Sequence, residues 1–404
     1  MKRKFATLLA ILLAMSLLLS CAMAETTIGP IYDEWSEMTD EELYELALKE
    51  GGAINVYSTS SKMLKCEEPF EEMFPGLDAI IYDLDQDDVL SKCQIEAETG
   101  NITADVLMAK DVNGDVYYDF YDMGYCTAYY PKDICENIDE GLLRYGYPLY
   151  ATMPFWYYNT EAFPDGQPIT SWWNLVEKNE DGSQKYRILC KEIGQETAYL
   201  SIFASFIVNA EAMEAAYEEL YGEPLEYTYD ASTFEFEVPE NNAGIEFMWR
   251  FTQMKMTFIS DGDELVLAVH NSTAEDPALA LASAGKITLT EESGYNIAWN
   301  TNLTPYNALH NCEFLYVVEG CDSPAGARLF IRYVTGGADG QSGGLKPFSK
   351  EGNWAVRSDI DSSWNTVALA DCGAHVSDLE AIYNVFLDAQ DMWIYWLAQN
   401  TSMN

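Results

Sequence analysis

The residues with the clearest chemical use are Ser58, Thr59, Ser60 and Ser61. They follow an apolar run at 53–57 and lead through Lys62 into an amphipathic stretch ending at Phe74. Hydroxyls and N–H groups at a helix start make an oxyanion site, because the first turn has unpaired donors and the helix dipole favours negative charge. The same hydroxyls also serve to cap the helix without any ligand. Asp83, Asp85, Asp87 and Asp88 lack the Gly and terminal Glu of a calcium loop, so a solvated turn is expected there. His270, His310 and His375 are scattered and there is no Cys-x-x-Cys, so neither a zinc site nor any other metal or cofactor is expected. The chain holds no Gly-x-Ser-x-Gly, no His-Glu-x-x-His and no persuasive triad. With 66 acidic residues, the paired carboxylates of an exported glycosidase stay open as an alternative.

These loops must be held by a frame, and 51–111 shows which. Strand (53–57), polar loop, helix (62–74), strand (79–82), helix (87–98) and strand (104–108) succeed one another. That is the order of βαβ units in a parallel sheet, where ligands sit beyond the carboxyl ends of the strands. Two loops lie at such ends, 58–61 and 109–111. A capping box at Thr39 opens a short helix stopped by Gly51 and Gly52. Further on, strands are expected at 155–158, 186–190, 296–299 and 314–318. Helices are expected at 198–220, 243–254, 324–334 and 379–399. The alternation at 234–238 suggests a small ribbon, and 265–269 reads equally as strand or helix end.

The chain has 404 residues and a formal net charge of −44, enough length for two domains and the wrong charge for nucleic acid or an anionic membrane surface. Lys2, Arg3 and Lys4 precede an apolar stretch at 5–19, the pattern of an export signal. Leu18-Leu19-Ser20-Cys21 resembles a bacterial lipobox, with Cys21 as the lipidated residue, while Ala22-Met23-Ala24 offers ordinary cleavage after Ala24. Residues 21–50 read as a tether and a first helix. Eight further cysteines permit disulfides in an exported chain, Cys126/Cys135 and Cys312/Cys321 being the first pairs to expect.

In order and spacing, several features resemble extracellular solute-binding proteins of ABC importers, in the branch that takes ferric iron, sugar phosphates, phosphonates or thiamine. They are Glu50-Gly51-Gly52 before Val56-Tyr57, Phe70-Glu71-Glu72-Met73-Phe74-Pro75-Gly76, and Ala104-Asp105-Val106. Tyr158-Asn159-Thr160, the helix from Pro324, and Val356-Arg357-Ser358-Asp359 complete the set. The resemblance implies an α/β, two-lobed type II periplasmic-binding-protein fold with crossing hinge strands and a central cleft. Lobe 1 would be 51–153 plus 286–337, and lobe 2 would be 154–285 plus 338–404. Segment 208–242 would be a decoration. The family implies a cognate permease and ATPase as partners, and no catalysis.

Ferric-binding members use a His in the first loop, a Glu in the third-strand loop and two adjacent Tyr in the second lobe. Here the first loop is Ser58-Thr59-Ser60, Lys110 stands in the Glu position, and Ser272-Thr273 falls at the Tyr pair. A Lys suits an anion as a point charge and not a trivalent cation. The family's second-lobe anion loop resembles Glu196-Thr197-Ala198. The resemblance thus implies a small anionic or phosphorylated solute held by Ser58, Thr59, Ser60, Lys110, Thr197, Ser272 and Thr273. Trp156 and Tyr157 would stack on an organic part, although an apolar strand equally places them in a core. A ferric-iron receptor is the runner-up.

Overall fold

The structure, a computed structural model, describes residues 29–403. The leader, Cys21 and both cleavage sites lie outside them. Two sheets organise the chain. In the first, β1 (Ala53–Ser58) pairs in parallel with β2 (Asp78–Asp83) and with β3 (Val106–Lys110). The helix Gln86–Thr99 returns the chain between the last two. Val56, Val106, Leu107 and Met108 are fully buried, as expected where helices cover both faces. β4 (Cys126–Thr127) and β5 (Tyr147–Thr152) follow.

β5 runs through Met153 directly into β6 (Pro154–Asn159), which belongs to the second sheet. That sheet adds β7 (Arg187–Cys190), β8 (Met256–Phe258), β9 (Ala278–Ser283) and β10 (Ile297–Trp299), in the order β10-β6-β9-β7-β8. The chain returns through β11 (Ala308–Leu309) to β12 (Asn311–Val318), antiparallel to both β3 and β5. β13 (Asn353–Ala355) closes the first sheet on β5, and β14 (Ala374–His375) pairs with β11. Gly352 sits at this return with φ +86°, and a Cβ there would meet the Gly285 nitrogen at 2.3 Å, so the chains pass too closely for a side chain.

Each sheet has its own core. The second is strongly aromatic, with Trp156, Trp172, Trp173, Phe203, Phe247 and Trp393 fully buried together. The helix Leu379–Met403 packs there against the helix Thr197–Val208. Gly244, in the helix Ala243–Thr252, lies against Phe206; a Cβ would fall 2.2 Å from its carbonyl carbon.

Several expectations change. Strand pairing places 297–299 in the second sheet and 353–355 in the first, dividing the segments 286–337 and 338–404 differently from the expected boundaries. Short strands at a crossing take their partners from backbone hydrogen bonds, which leave no trace in composition. The expected helix at 198–220 is two helices, broken at Asn209, whose side-chain amide donates to the Ser205 carbonyl. The alternation at 234–238 is not a ribbon; Phe234 packs on Tyr395 and Trp396. Residues 265–269 are helical, within Gly262–His270. No expected disulfide forms: all eight described cysteines are free, seven of them buried. Cys312 and Cys321 stand at opposite ends of β12, and a strand rising about 3.3 Å per residue holds them far apart.

Candidate functional site

The edge of each sheet that faces the other follows from register. β1 and β3 run parallel, so Ser58 and Lys110 end on one edge. β12 is antiparallel and brings Glu313 opposite Lys110 at its start. Thr152, which leads into the crossing at Met153, pairs with Asn311 on this same edge. In the second sheet Pro154 pairs with Ser283, so the carboxyl ends of β7 and β9 are the ends beside the crossing. The loop after β7 therefore faces the loops after β1 and β3. A cavity of about 390 Å³ lies between the loops after β3 and β7. Gln86, Asp87, Lys110, Asn113 and Asp115 line it from the first lobe, and Gln195, Glu196 and Thr197 from the second.

Lys110 is the centre of the first wall. Its Nζ lies 3.2 Å from Glu313 Oε1, and Thr59 Oγ1 donates to Glu313 Oε2 at 3.4 Å. Its backbone is tied to Gln86 by reciprocal bonds: Lys110 N donates to Gln86 Oε1 at 3.0 Å, and Gln86 Nε2 donates to the Lys110 carbonyl at 2.9 Å. Asp111, next in sequence, is buried and accepts from Gly114 N and Tyr117 N, which shapes the following loop. Burial pushes its carboxyl up to about 6. Lys62 reaches the same region, with Nζ 5.9 Å from the centre of the Tyr150 ring. Burial, then the nearby Lys350, pushes its ammonium down to about 8. Lys110 and Lys62 thus both lie near the Glu313 carboxylate, with Lys350 beside Lys62.

The second wall is the start of the helix Thr197–Val208, which carries no side-chain cap. Its N–H groups and dipole face the cavity. Beside it Lys191 Nζ pairs with Glu196 Oε1 at 2.9 Å.

The expected residues divide. Lys110 and Thr197 meet across one cavity. Thr59 joins them through Glu313. Ser58 is fully buried, its Oγ bonded to Ser60 N and the Ser60 carbonyl, so it shapes the loop from inside. Ser60 stands at the start of the turn Ser61–Cys66 without capping it by its side chain. Trp156 and Tyr157 are fully buried in the second lobe. Trp156 packs on Trp172 and Phe251, and the Tyr157 hydroxyl donates to the Ser283 and Ala284 carbonyls, so neither ring is placed to stack on a solute in this form of the molecule. Ser272 and Thr273 precede β9 and so lie at the edge of the second sheet away from the cleft. Ser272 Oγ donates to the Val269 carbonyl and Thr273 Oγ1 accepts from Asp276 N.

Glu313, Lys62 and Lys350 were missed as a group. Thr59 and Glu313 are separated by 254 positions, and no local pattern signals that approach. His270 Nδ1 accepts from Asn296 N and its ring stacks on Tyr295, a packing role. Among the described residues no three His, Cys, Asp or Glu side chains come together as a metal site, and no helix is long and apolar enough to cross a membrane. A larger hollow of about 1050 Å³ lies under 355–376, and no residue of the second sheet's strands lines it.

No family profile and no curated protein matches the sequence. Solved structures do match the fold. Iron-bound HitA from Pseudomonas aeruginosa is 14% identical over 85% of this chain and 99% of that chain, with a TM-score of 0.59. The Trichodesmium protein IdiA (FutA), in complex with iron and citrate, is 16% identical over 85% and 99%, with a TM-score of 0.60. A structure described as the Atu4243-GABA receptor is 13% identical over 85% and 97%, with a TM-score of 0.57. Two sheets joined by crossing strands, a cleft between their carboxyl edges and these likenesses lead to one conclusion: the chain has the two-lobed type II periplasmic-binding-protein fold.

Proposed function

We propose that this chain is an extracytoplasmic solute-binding protein of an ABC importer. It captures a small solute through an anionic group in the interlobe cleft and delivers it to a cognate permease and ATPase. The observation that carries this reading is the cavity lined by Lys110 from one lobe and Thr197 from the other. An anion there meets an ammonium on one side and an uncapped helix start on the other, so it binds the closed arrangement better than the open one. That differential affinity drives hinge closure. Cys21 would anchor the chain by lipid after export. The solved neighbours support a receptor reading: one is iron-bound, one is in complex with iron and citrate, and one is described as a GABA receptor.

Iron is the competing solute, favoured by the iron-bound neighbours. Lys110 at the cavity wall opposes it, because an ammonium repels a trivalent cation. A thermal-shift panel of sugar phosphates, phosphonates, thiamine and its phosphates, and ferric salts separates the two. Saturation at 100 times the dissociation constant adds ~2.7 kcal/mol to stability. A rise with an anion that Lys110→Glu abolishes upholds the reading. A rise with ferric iron alone, with a coloured tyrosinate band, replaces it.

A further inference from the structure

The cavity is not uniformly basic. Lys110 occupies one part, with Lys62 and Lys350 beyond it. Asp87 and Asp115 occupy another part of the same first-lobe wall, and Glu196 lies across from them. Most of these charges have partners. Lys110 is paired with Glu313, and Glu196 with Lys191. Asp87 and Asp115 differ: among the described residues neither takes part in an ion pair, and Asp115 accepts from the neutral Asn113 Nδ2 at 2.6 Å. The two parts are held in fixed relation, because Gln86, adjacent to Asp87, is bonded to both backbone groups of Lys110.

A dianion such as a phosphate monoester or a dicarboxylate would place its second charge in about 390 Å³ shared with two unpaired carboxylates. Asp87 and Asp115 are exposed in this form, and closure of the lobes around a solute would withdraw them from water, where like charges brought together are costly. A ligand carrying one charge of each sign satisfies every part of the wall. We infer that the solute is a small zwitterion, its anionic group at Lys110 and the helix start at Thr197, its cationic group toward Asp115 and Asp87. This rests on the receptor reading above and names the substrate class for the same cavity.

Calorimetry on the full chain tests it with small zwitterions (β-alanine, glycine betaine, carnitine), dianions (succinate, inorganic phosphate) and a dication (putrescine). The variants are Asp115→Asn and Lys110→Gln. The expected result is that a zwitterion binds at least about tenfold tighter than any dianion or the dication, and that each variant weakens it about tenfold. The sign for Asp115→Asn decides the matter, since removing that carboxylate weakens a zwitterion and strengthens a dianion. Succinate or phosphate binding best, and tightening in Asp115→Asn, overturns the inference while leaving the receptor reading in place. Silence from every probe, with no ligand-dependent compaction in small-angle scattering, overturns the receptor reading and this inference with it.

Discussion

The two walls of the cleft are built differently. The first is made of interlocked side chains. Lys110, Glu313 and Thr59 depend on one another, and Lys62 and Lys350 crowd beside them. The second is one continuous segment, 195–198, that presents the start of a helix. Charge selection therefore resides in the first wall, where a single substitution changes sign. The second wall contributes backbone N–H groups and a dipole that no side-chain change removes. What can disturb it is displacement of its helix.

The largest expected effect is on the first wall. Lys110→Glu sets two carboxylates side by side with Glu313 and should weaken binding of an anion-bearing solute at least about a hundredfold, ~2.7 kcal/mol. Titration calorimetry reads it. Unchanged affinity would break the comparison at once.

Next comes displacement of the second wall. Gly244→Ala forces a methyl into the backbone of Phe206 and should cost ~1–3 kcal/mol of stability by denaturant unfolding, the usual range for overpacking. Solute affinity should fall as well, since the helix moves. A stable variant with normal affinity shows that this helix seat is soft and that the second wall tolerates shifts.

The third effect is pH-dependent. Lys62 is held near 8, below its ordinary 10.5, chiefly by burial. Between those values the unfolded chain binds more protons than the folded one. The stability of the unliganded protein should therefore rise with pH through that window. Below about 8 the ammonium is charged in both states and its burial cost is fully present. Solute binding should run the opposite way: an anion favours charged Lys62, so affinity should fall as pH rises above about 8, with proton uptake visible by calorimetry in two buffers. Lys62→Met should flatten both trends; a persistent alkaline trend assigns it to another group.

Smaller effects sharpen the contrast. Glu313→Gln removes the carboxylate that occupies Lys110 and should tighten an anionic group a few-fold, up to ~1 kcal/mol, a scale set by partly exposed ion pairs. Thr197→Val should cost no more than ~1 kcal/mol, because it removes one neutral hydroxyl and leaves the helix start intact. A loss as large as that from Lys110→Glu would mean that the second wall selects by side chain after all.

The opening βαβαβ stretch was legible because parallel strands buried on both faces read as apolar runs, and because Gly51-Gly52 and the Thr39 capping box mark their boundaries. Lys110 and Thr197 were named through the family resemblance, Lys110 by its position after Ala104-Asp105-Val106 and Thr197 by the second-lobe anion loop, and both line the cavity. Other readings failed where local pattern met tertiary packing. Phe234 and Phe236 alternate like a strand yet serve as aromatic anchors on the terminal helix. Ser272 and Thr273 were placed by alignment across a segment of uncertain length, and strand direction sets them at the far edge of the sheet. Net charge misled less than it threatened to. At −44 the chain repels anions at long range, but screening over ~8 Å leaves contact charges such as Lys110 in control.

The sequence by itself determined the parallel α/β organisation and two of the loops that face the cleft, because hydrophobic period, caps and glycines act over a few residues. Only the tertiary structure decided which charges share the cavity. Glu313 meets Lys110 through antiparallel register, Lys350 meets Lys62 across the first lobe, and Asp115, on a loop held by Asp111, has no cation partner among the described residues. Those proximities join positions up to hundreds of residues apart, and burial and strand direction, which set them, belong to the folded chain as a whole.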